Sequence, residues 1–400
     1  MKIYLVKLQQ AAVMTGIALS GIEIGGAISP ANALTFNFTP AAGTSQQAID
    51  GFTTAGSLWS SLFTDSVTVN VNINFTALSA GTLGEASSST QFFSYDRVHG
   101  ALSNDRTSTD DRTAVNSLSK PPTFNMLLNR TANSPNGAGS ATPYLDSNGD
   151  ANNTTINLTS ANAKALGLVA NNNDNDASIS FSNAFNWDFN PNDGISDGAF
   201  DFVGIAAHEL GHSLGFISGV DTLDGNASGT FYNDSQFTYV SPLDLFRYST
   251  DSKNANAIDW TADARDKYFS IDGGATNITA FSTGDVFGDG RQNGHWKDNL
   301  GLGIMDPTIS SGELLQINEN DKRALDVIGW NRVGNGSPNA QIGNFVQNSN
   351  GIAGTDGLAR ADATVPEPAD FVGTFIFATI TAKIIIDRRQ QLRDATDKSV

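Results

Sequence analysis

Between Ile49 and Phe63 the apolar residues Ile49, Phe52, Trp59 and Phe63 fall at helical spacing, with Leu58 and Leu62 widening the stripe. That period predicts a helix with one face packed inward. The next stretch, VTVNVNINF, changes period: Val67, Val69, Val71, Ile73 and Phe75 alternate with Thr68, Asn70, Asn72 and Asn74. Alternation predicts a strand with one dry and one wet face. From Tyr95 to Leu118 the pattern is helical but polar, and Ile179 and Phe181 in ASISFSN mark a second short strand. Near the end, Asn318 stands three residues before Asp321, with Leu325 and Ile328 following on one face, which predicts a capped last helix. The Asn/Asp clusters at 146–153 and 171–176 read as surface loops, and no fixed-period repeat is visible. Helices and strands in this mixture give an α+β class.

One helical stretch carries chemistry. Drawn as a helix from about Asp201, FVGIAAHELGHSLG puts His208 and His212 on one side with Gly204, Ile205, Gly211 and Gly215. Phe202, Val203, Ala206, Leu210 and Leu214 take the other side. One face packs and the other is free to open on a cleft. Histidines four apart stack one turn above the other, so both imidazoles can reach one ion at about 2.0–2.1 Å. Glu209 sits off that axis, placed to take a proton from a water at the metal. Gly215 suits the end of this helix, because a residue without Cβ can adopt the left-handed conformation that turns the chain sharply.

A metal here needs a third protein ligand. The chain has no cysteine, no glutamate between Glu209 and Glu313, and Ser218 at the third position after Gly215. Only His99 and His295 remain as further histidines. His99 lies in the polar segment YDRVHGAL and is expected on the surface. His295 lies in NGHWKDNLGLGIMDPT, ten residues before Met305 in a turn flanked by glycine and proline.

The run HExxHxxGF, a long insertion at 216–294, a lone later histidine and the turn Ile304-Met305-Asp306-Pro307 together resemble the leishmanolysin-like branch of the metzincin zinc proteases. The resemblance covers roughly Phe200 to Trp330. It implies zinc held by His208, His212 and His295, Glu209 as general base, Gly215 as the helix-ending turn and Met305 as a hydrophobic floor. It also implies a twisted sheet, an active-site helix and a Met-turn in an α+β domain whose two subdomains flank a cleft. The strand near Ile179 would line that cleft and pair with an extended protein or peptide substrate. The function so implied is a zinc-dependent endopeptidase. A rival is a surface or matrix binding protein with a structural zinc site closed by Asp298 or Asp306; a zinc hydrolase acting on something other than peptides is a third reading.

Oxygen-rich loops raise a second cofactor. WDFNPNDGISDGAFD sets Asp188, Asn190, Asp193, Asp197 and Asp201 ahead of the histidine helix, and carboxylates and amides in a turning loop suit calcium. The bidentate glutamate of an EF-hand is missing. Asp146-Ser147-Asn148-Gly149-Asp150 is a similar, weaker candidate. Plain polar turns use the same residues.

Composition narrows the setting. A formal charge of -18 repels nucleic acid and anionic membrane, so neither is expected as a partner, and a monomer is expected. Lys2 and Lys7 precede an apolar run from Ala11 to Ile28, and Ala31-Asn32-Ala33 offers a small-x-small cleavage site. Residues 1–33 therefore read as an export signal, with the mature chain starting at Leu34. Without cysteine the exported chain depends on core packing and bound ions rather than disulfides. The domain is expected to span 34–332, followed by a Gly/Asn/Ser/Ala-rich linker at 333–364. At 365–400, Val365-Pro366-Glu367-Pro368, the apolar run Phe371 to Ile386 and Arg388-Arg389 resemble a bacterial PEP-CTERM sorting tail. That resemblance implies transient anchoring in the inner membrane and removal of the tail, leaving the protein extracellular or at the cell surface. An amphipathic terminal helix is the alternative.

Overall fold

The computed structural model describes residues 33–78, 82–226 and 231–334, with the backbone of 363–364. Residues 1–32 of the expected export signal at 1–33, most of the expected linker at 333–364 and all of the expected sorting tail at 365–400 lie outside the described residues. In chain order the first half runs β1 (Thr35–Pro40), α1 (Gln46–Ser60), β2 (Thr68–Thr76), β3 (Gly84–Ser88), β4 (Thr90–Ser94), α2 (Tyr95–Asn104), α3 (Thr109–Ser117) and β5 (Met126–Leu128). It continues through β6 (Tyr144–Asp146), β7 (Thr155–Thr159), α4 (Ser160–Ala165), β8 (Ala177–Ser182), β9 (Trp187–Asp188), β10 (Phe200–Asp201) and α5 (Phe202–Ser213). Then follow α6 (Val220–Asp224), β11 (Arg247–Tyr248), α7 (Thr250–Asn254), β12 (Ile258–Asp259), β13 (Lys267–Phe269), β14 (Thr279–Phe281), β15 (Thr308–Ile309) and α8 (Glu319–Val327). The class is α+β with several small sheets.

The main sheet has the order β1-β2-β8-β3. β1, β2 and β8 run parallel, in register through pairs such as Phe38 with Val71 and Ile73 with Ile179. β3 closes the edge antiparallel to β8. Both sides of β8 are therefore taken, and the strand around Ile179 cannot pair with a substrate as expected; the edge position belongs to β3. The dry face of β2 is as the alternation predicts, with Val69, Val71 and Ile73 buried. Its wet face is not wholly wet. Asn70 is buried because its N–H donates to Asp176 at 2.8 Å and its Nδ2 to the Asn172 carbonyl at 3.0 Å. Asp176 in turn meets the buried Lys164 ammonium at 2.6 Å, so the 171–176 cluster ends inside the protein rather than on its surface.

Helix α1 starts where Ser45 accepts from the Ala48 N–H and buries Ala48, Gly51, Phe52, Ala55, Gly56 and Trp59. Leu58, expected on the packed stripe, is 42% exposed, because the inner face is built from small residues that let α1 approach β1 and α5 closely. The polar region from Tyr95 to Leu118 is two helices rather than one. It breaks at Ser108, whose hydroxyl accepts from Asp111 N–H while the Asp111 carboxylate accepts from Ser108 N–H.

The 216–294 insertion does not form a separate body. β12 pairs parallel with β5 from the first half, and β11, β13 and β14 form an antiparallel sheet that delivers the chain to His295. Among the described residues no helix is long and apolar enough to cross a membrane.

Candidate metal centre

Helix α5 is fixed at both ends before any ligand is considered. Asp201, grouped by sequence with the calcium-type loop, is instead its N-cap: Oδ1 accepts from Gly204 N–H at 2.8 Å and Oδ2 from Leu315 N–H at 3.1 Å. Phe202 packs among Phe52, Phe181, Trp187 and Phe189. Trp59 of α1 donates its indole N–H to the Ala207 carbonyl at 2.8 Å. At the far end Gly215 has φ +116, and two reversed bonds close the helix, Gly215 N–H to the His212 carbonyl and Phe216 N–H to the Gly211 carbonyl. This turn has a chemical product. It swings the Phe216 carbonyl back over the helix, where it accepts from His212 Nδ1 at 2.7 Å.

His208 is held in the same way from another direction, its Nδ1 lying 2.7 Å from the Ile304 carbonyl. A carbonyl can only accept, so Nδ1 of both rings carries the proton and Nε2 presents a bare lone pair. The three Nε2 atoms converge at 3.1 Å for His208 and His212, 3.2 Å for His212 and His295, and 3.3 Å for His208 and His295. Burial pushes all three rings toward the neutral form, with repulsion from neighbouring rings adding to it for His208 and His295. For His212 the value falls to about 4. Converging lone pairs in a dry site repel unless a cation lies between them. Tetrahedral donors about 2.0–2.1 Å from a common centre stand roughly 3.3–3.4 Å apart, close to the spacing seen, so the residues fit a zinc-sized ion.

The third ring arrives from the end of the insertion. Ser282 N–H donates to the His295 carbonyl at 3.0 Å, and Trp296 N–H donates to the Met305 carbonyl at 2.9 Å. Arg247, fully buried, donates to the Ser282 carbonyl and to Asn293 Oδ1, both at 2.7 Å. Asn293 is tied in turn to Asp221 Oδ1 through its N–H at 2.8 Å. Met305 is buried beneath the histidine helix, and a Cβ added to Gly211 would lie 2.5 Å from its sulfur. Gly211 is therefore what lets the methionine press against the helix between the two histidines' turns.

Asp321 binds these pieces together. Its Oδ1 accepts from Trp296 Nε1 at 2.8 Å and from Met305 N–H at 3.4 Å; its Oδ2 accepts from Ile304 N–H at 2.9 Å and Asn318 N–H at 2.7 Å. One carboxylate thus caps α8, braces the residue after His295, and holds Ile304, whose carbonyl orients His208. Burial raises its pKa to about 6. The sequence identifies Asp321 only as a capping residue, and nothing in its local pattern reveals the contacts to Trp296 and Ile304. Arg247 and Asn293 carry no motif at all.

Other candidates do not join the triad. Among the described residues, His208, His212 and His295 are the single group of three or more His, Cys, Asp or Glu side chains with ligand atoms within 4.8 Å of one another. Asp298 and Asp306 are outside it. Asp188, Asp193 and Asp197 do not converge either: Asp193 and Asp197 are exposed, as is Asn190, and Asp188 accepts from Ser196 and from Asn190 N–H. His99 lies half-buried on α2, against Tyr95. Glu209 is fully buried in α5, as are all three imidazoles and every other residue of that helix. The histidine face expected to open on a cleft is closed here.

In comparisons with known proteins, the chain matches no family model, no curated protein and no solved structure.

Proposed function

We propose that the protein is an exported zinc endopeptidase of metzincin type, with Glu209 as the catalytic base. The observation that carries this reading is the meeting of three buried Nε2 atoms, two of them on rings whose Nδ1 is held by a backbone carbonyl and which share a helix with a buried glutamate. When bound, zinc supplies a Lewis acid that acidifies a water and polarises a carbonyl oxygen. His208, His212 and His295 hold the ion as neutral ligands. Glu209 takes the proton of the attacking water at its carboxylate and passes it to the leaving amine. Met305 fills the space below, and burial keeps bulk water from weakening these charge interactions. An extended substrate would add to the sheet along β3, main chain to main chain, since β8 is enclosed. Residues 1–33 as export signal and 365–400 as sorting tail belong to the same reading.

Zinc-loaded mature protein should hydrolyse casein, and Glu209→Ala should lower the rate roughly 10²–10⁴-fold while retaining the metal. Casein hydrolysis at an undiminished rate in that variant contradicts the assignment.

The complete burial of the triad favours a second reading, a binding protein with structural zinc. Structural sites close with four protein ligands, however, and among the described residues no fourth His, Cys, Asp or Glu atom shares the cluster.

A further inference from the structure

The loop between β6 and β7 reads DSNGDANN, with Asp146, Asn148, Asp150 and Asn152 at alternate positions. By sequence it ranks below the 188–197 loop as a calcium candidate; the structure reverses the order. Ser147, Asn148, Gly149 and Ala151 lie exposed as the composition predicts, but Asp146 is 3% exposed and Asn152 is fully buried, so both ends of the loop turn inward. The Asn152 amide lies against the Asp146 carboxylate, with Nδ2 to Oδ2 2.8 Å. Its other end, Oδ1, is buried and accepts no hydrogen bond. Swapping the amide would set oxygen against oxygen, so the orientation is fixed by Asp146. Asp150 Oδ1 is likewise buried and without a hydrogen bond. Asn148 links the two carboxylates: its N–H donates to Asp146 Oδ1 at 3.4 Å and its Nδ2 to Asp150 Oδ2 at 3.1 Å.

Leaving a buried acceptor without a hydrogen bond is unfavourable, and more so when the group is charged. Here the charge is uncompensated as well. Among the described residues no lysine or arginine forms an ion pair with Asp146, Asp150 or the neighbouring Asp234. Burial, aided by repulsion from Asp234 and Asp150, raises the pKa of Asp146. By contrast Asp188 in the other loop has its oxygens satisfied by Ser196 and Asn190.

We infer that Asp146, Asn148, Asp150 and Asn152 form a site for one hard divalent cation, calcium by its preference for oxygen ligands from alternate loop positions. The site is independent of the zinc triad and of the peptidase reading. Its role is to lock the β6–β7 turn, which a chain lacking disulfides has no covalent means of doing.

The test is calorimetric titration of calcium into zinc-loaded mature protein, alongside Asp150→Asn and Asn148→Ala, the latter at an exposed position. Wild type should take up one calcium in the range of extracellular sites, about 10⁻⁴–10⁻³ M, with a rise in Tm. Both variants should bind at least tenfold more weakly with zinc content unchanged. If wild type shows neither heat nor a Tm shift up to about 10 mM calcium, well above that range, the loop holds its acceptors without a cation and the inference falls. It falls equally if calcium binds but both variants match wild type, which would put the ion elsewhere.

Discussion

The chemistry of this protein rests on which nitrogen of each histidine is free. The Ile304 and Phe216 carbonyls decide this for His208 and His212, and both carbonyls belong to residues whose own positions are set elsewhere in the chain. Asp321 is the furthest-reaching of these supports, because one buried carboxylate accepts from Trp296, Ile304, Met305 and Asn318. Asp321→Asn keeps the shape but turns an NH2 toward donors. It should weaken zinc binding about 10–100-fold, the usual effect of losing an outer partner of a metal ligand, and lower stability by roughly 2–4 kcal/mol. A competition titration with a zinc indicator measures the first effect, and unchanged affinity would show that Asp321 serves α8 alone. The HExxH residues are legible in sequence because helical spacing alone brings His208 and His212 together. His295 needs the fold, since 82 intervening residues separate it from His212 and no local pattern says where they return. Asp321's contacts to Trp296 and Ile304 are hidden for the same reason.

At the scale of elements, the end of α5 matters as much as its middle. Gly215 at φ +116 permits the turn that aims the Phe216 carbonyl at His212. Gly215→Ala forces a side chain into that conformation, where its Cβ would meet Ile328 Cδ1 at 3.1 Å and Asn162 Cβ at 3.2 Å. Stability should drop by about 1–3 kcal/mol, and zinc affinity should fall with it as the carbonyl shifts. Chemical denaturation and zinc titration of the variant check both; a loss of stability with full zinc affinity would separate the turn from the ligand. Elements with a strong period were read well from sequence: α1, β2 and the Asn318 capping box of α8 appear where the pattern puts them. What the period cannot convey is which neighbours an element has. It could not show that β3 flanks β8, that β12 reaches back to β5, or that both ends of the 146–153 loop turn inward.

For the whole molecule, acidity is both a surface property and an interior one. Asp105, Asp221 and Asp326 have pKa values raised to about 7, first of all by burial. In the unfolded chain they ionise near 3.8, so between these values the folded protein binds more protons than the unfolded one. Stability therefore falls as pH rises through about 7, the opposite of a chain stabilised by ion-paired carboxylates. With zinc in excess, Tm should be higher at about pH 6 than at about pH 8; the reverse order would mean these carboxylates find compensating charge. The central claim is narrower than any of this: three imidazoles brought from two distant segments hold one zinc and leave a coordination position that no side chain fills. Zinc K-edge X-ray absorption of the purified mature protein, compared with His295→Ala, tests it most directly. The expected wild-type spectrum shows three imidazoles and a light solvent donor at about 2.0–2.1 Å, with one imidazole or the metal itself lost in the variant. Four protein ligands, or a spectrum that His295→Ala leaves unchanged, would contradict it.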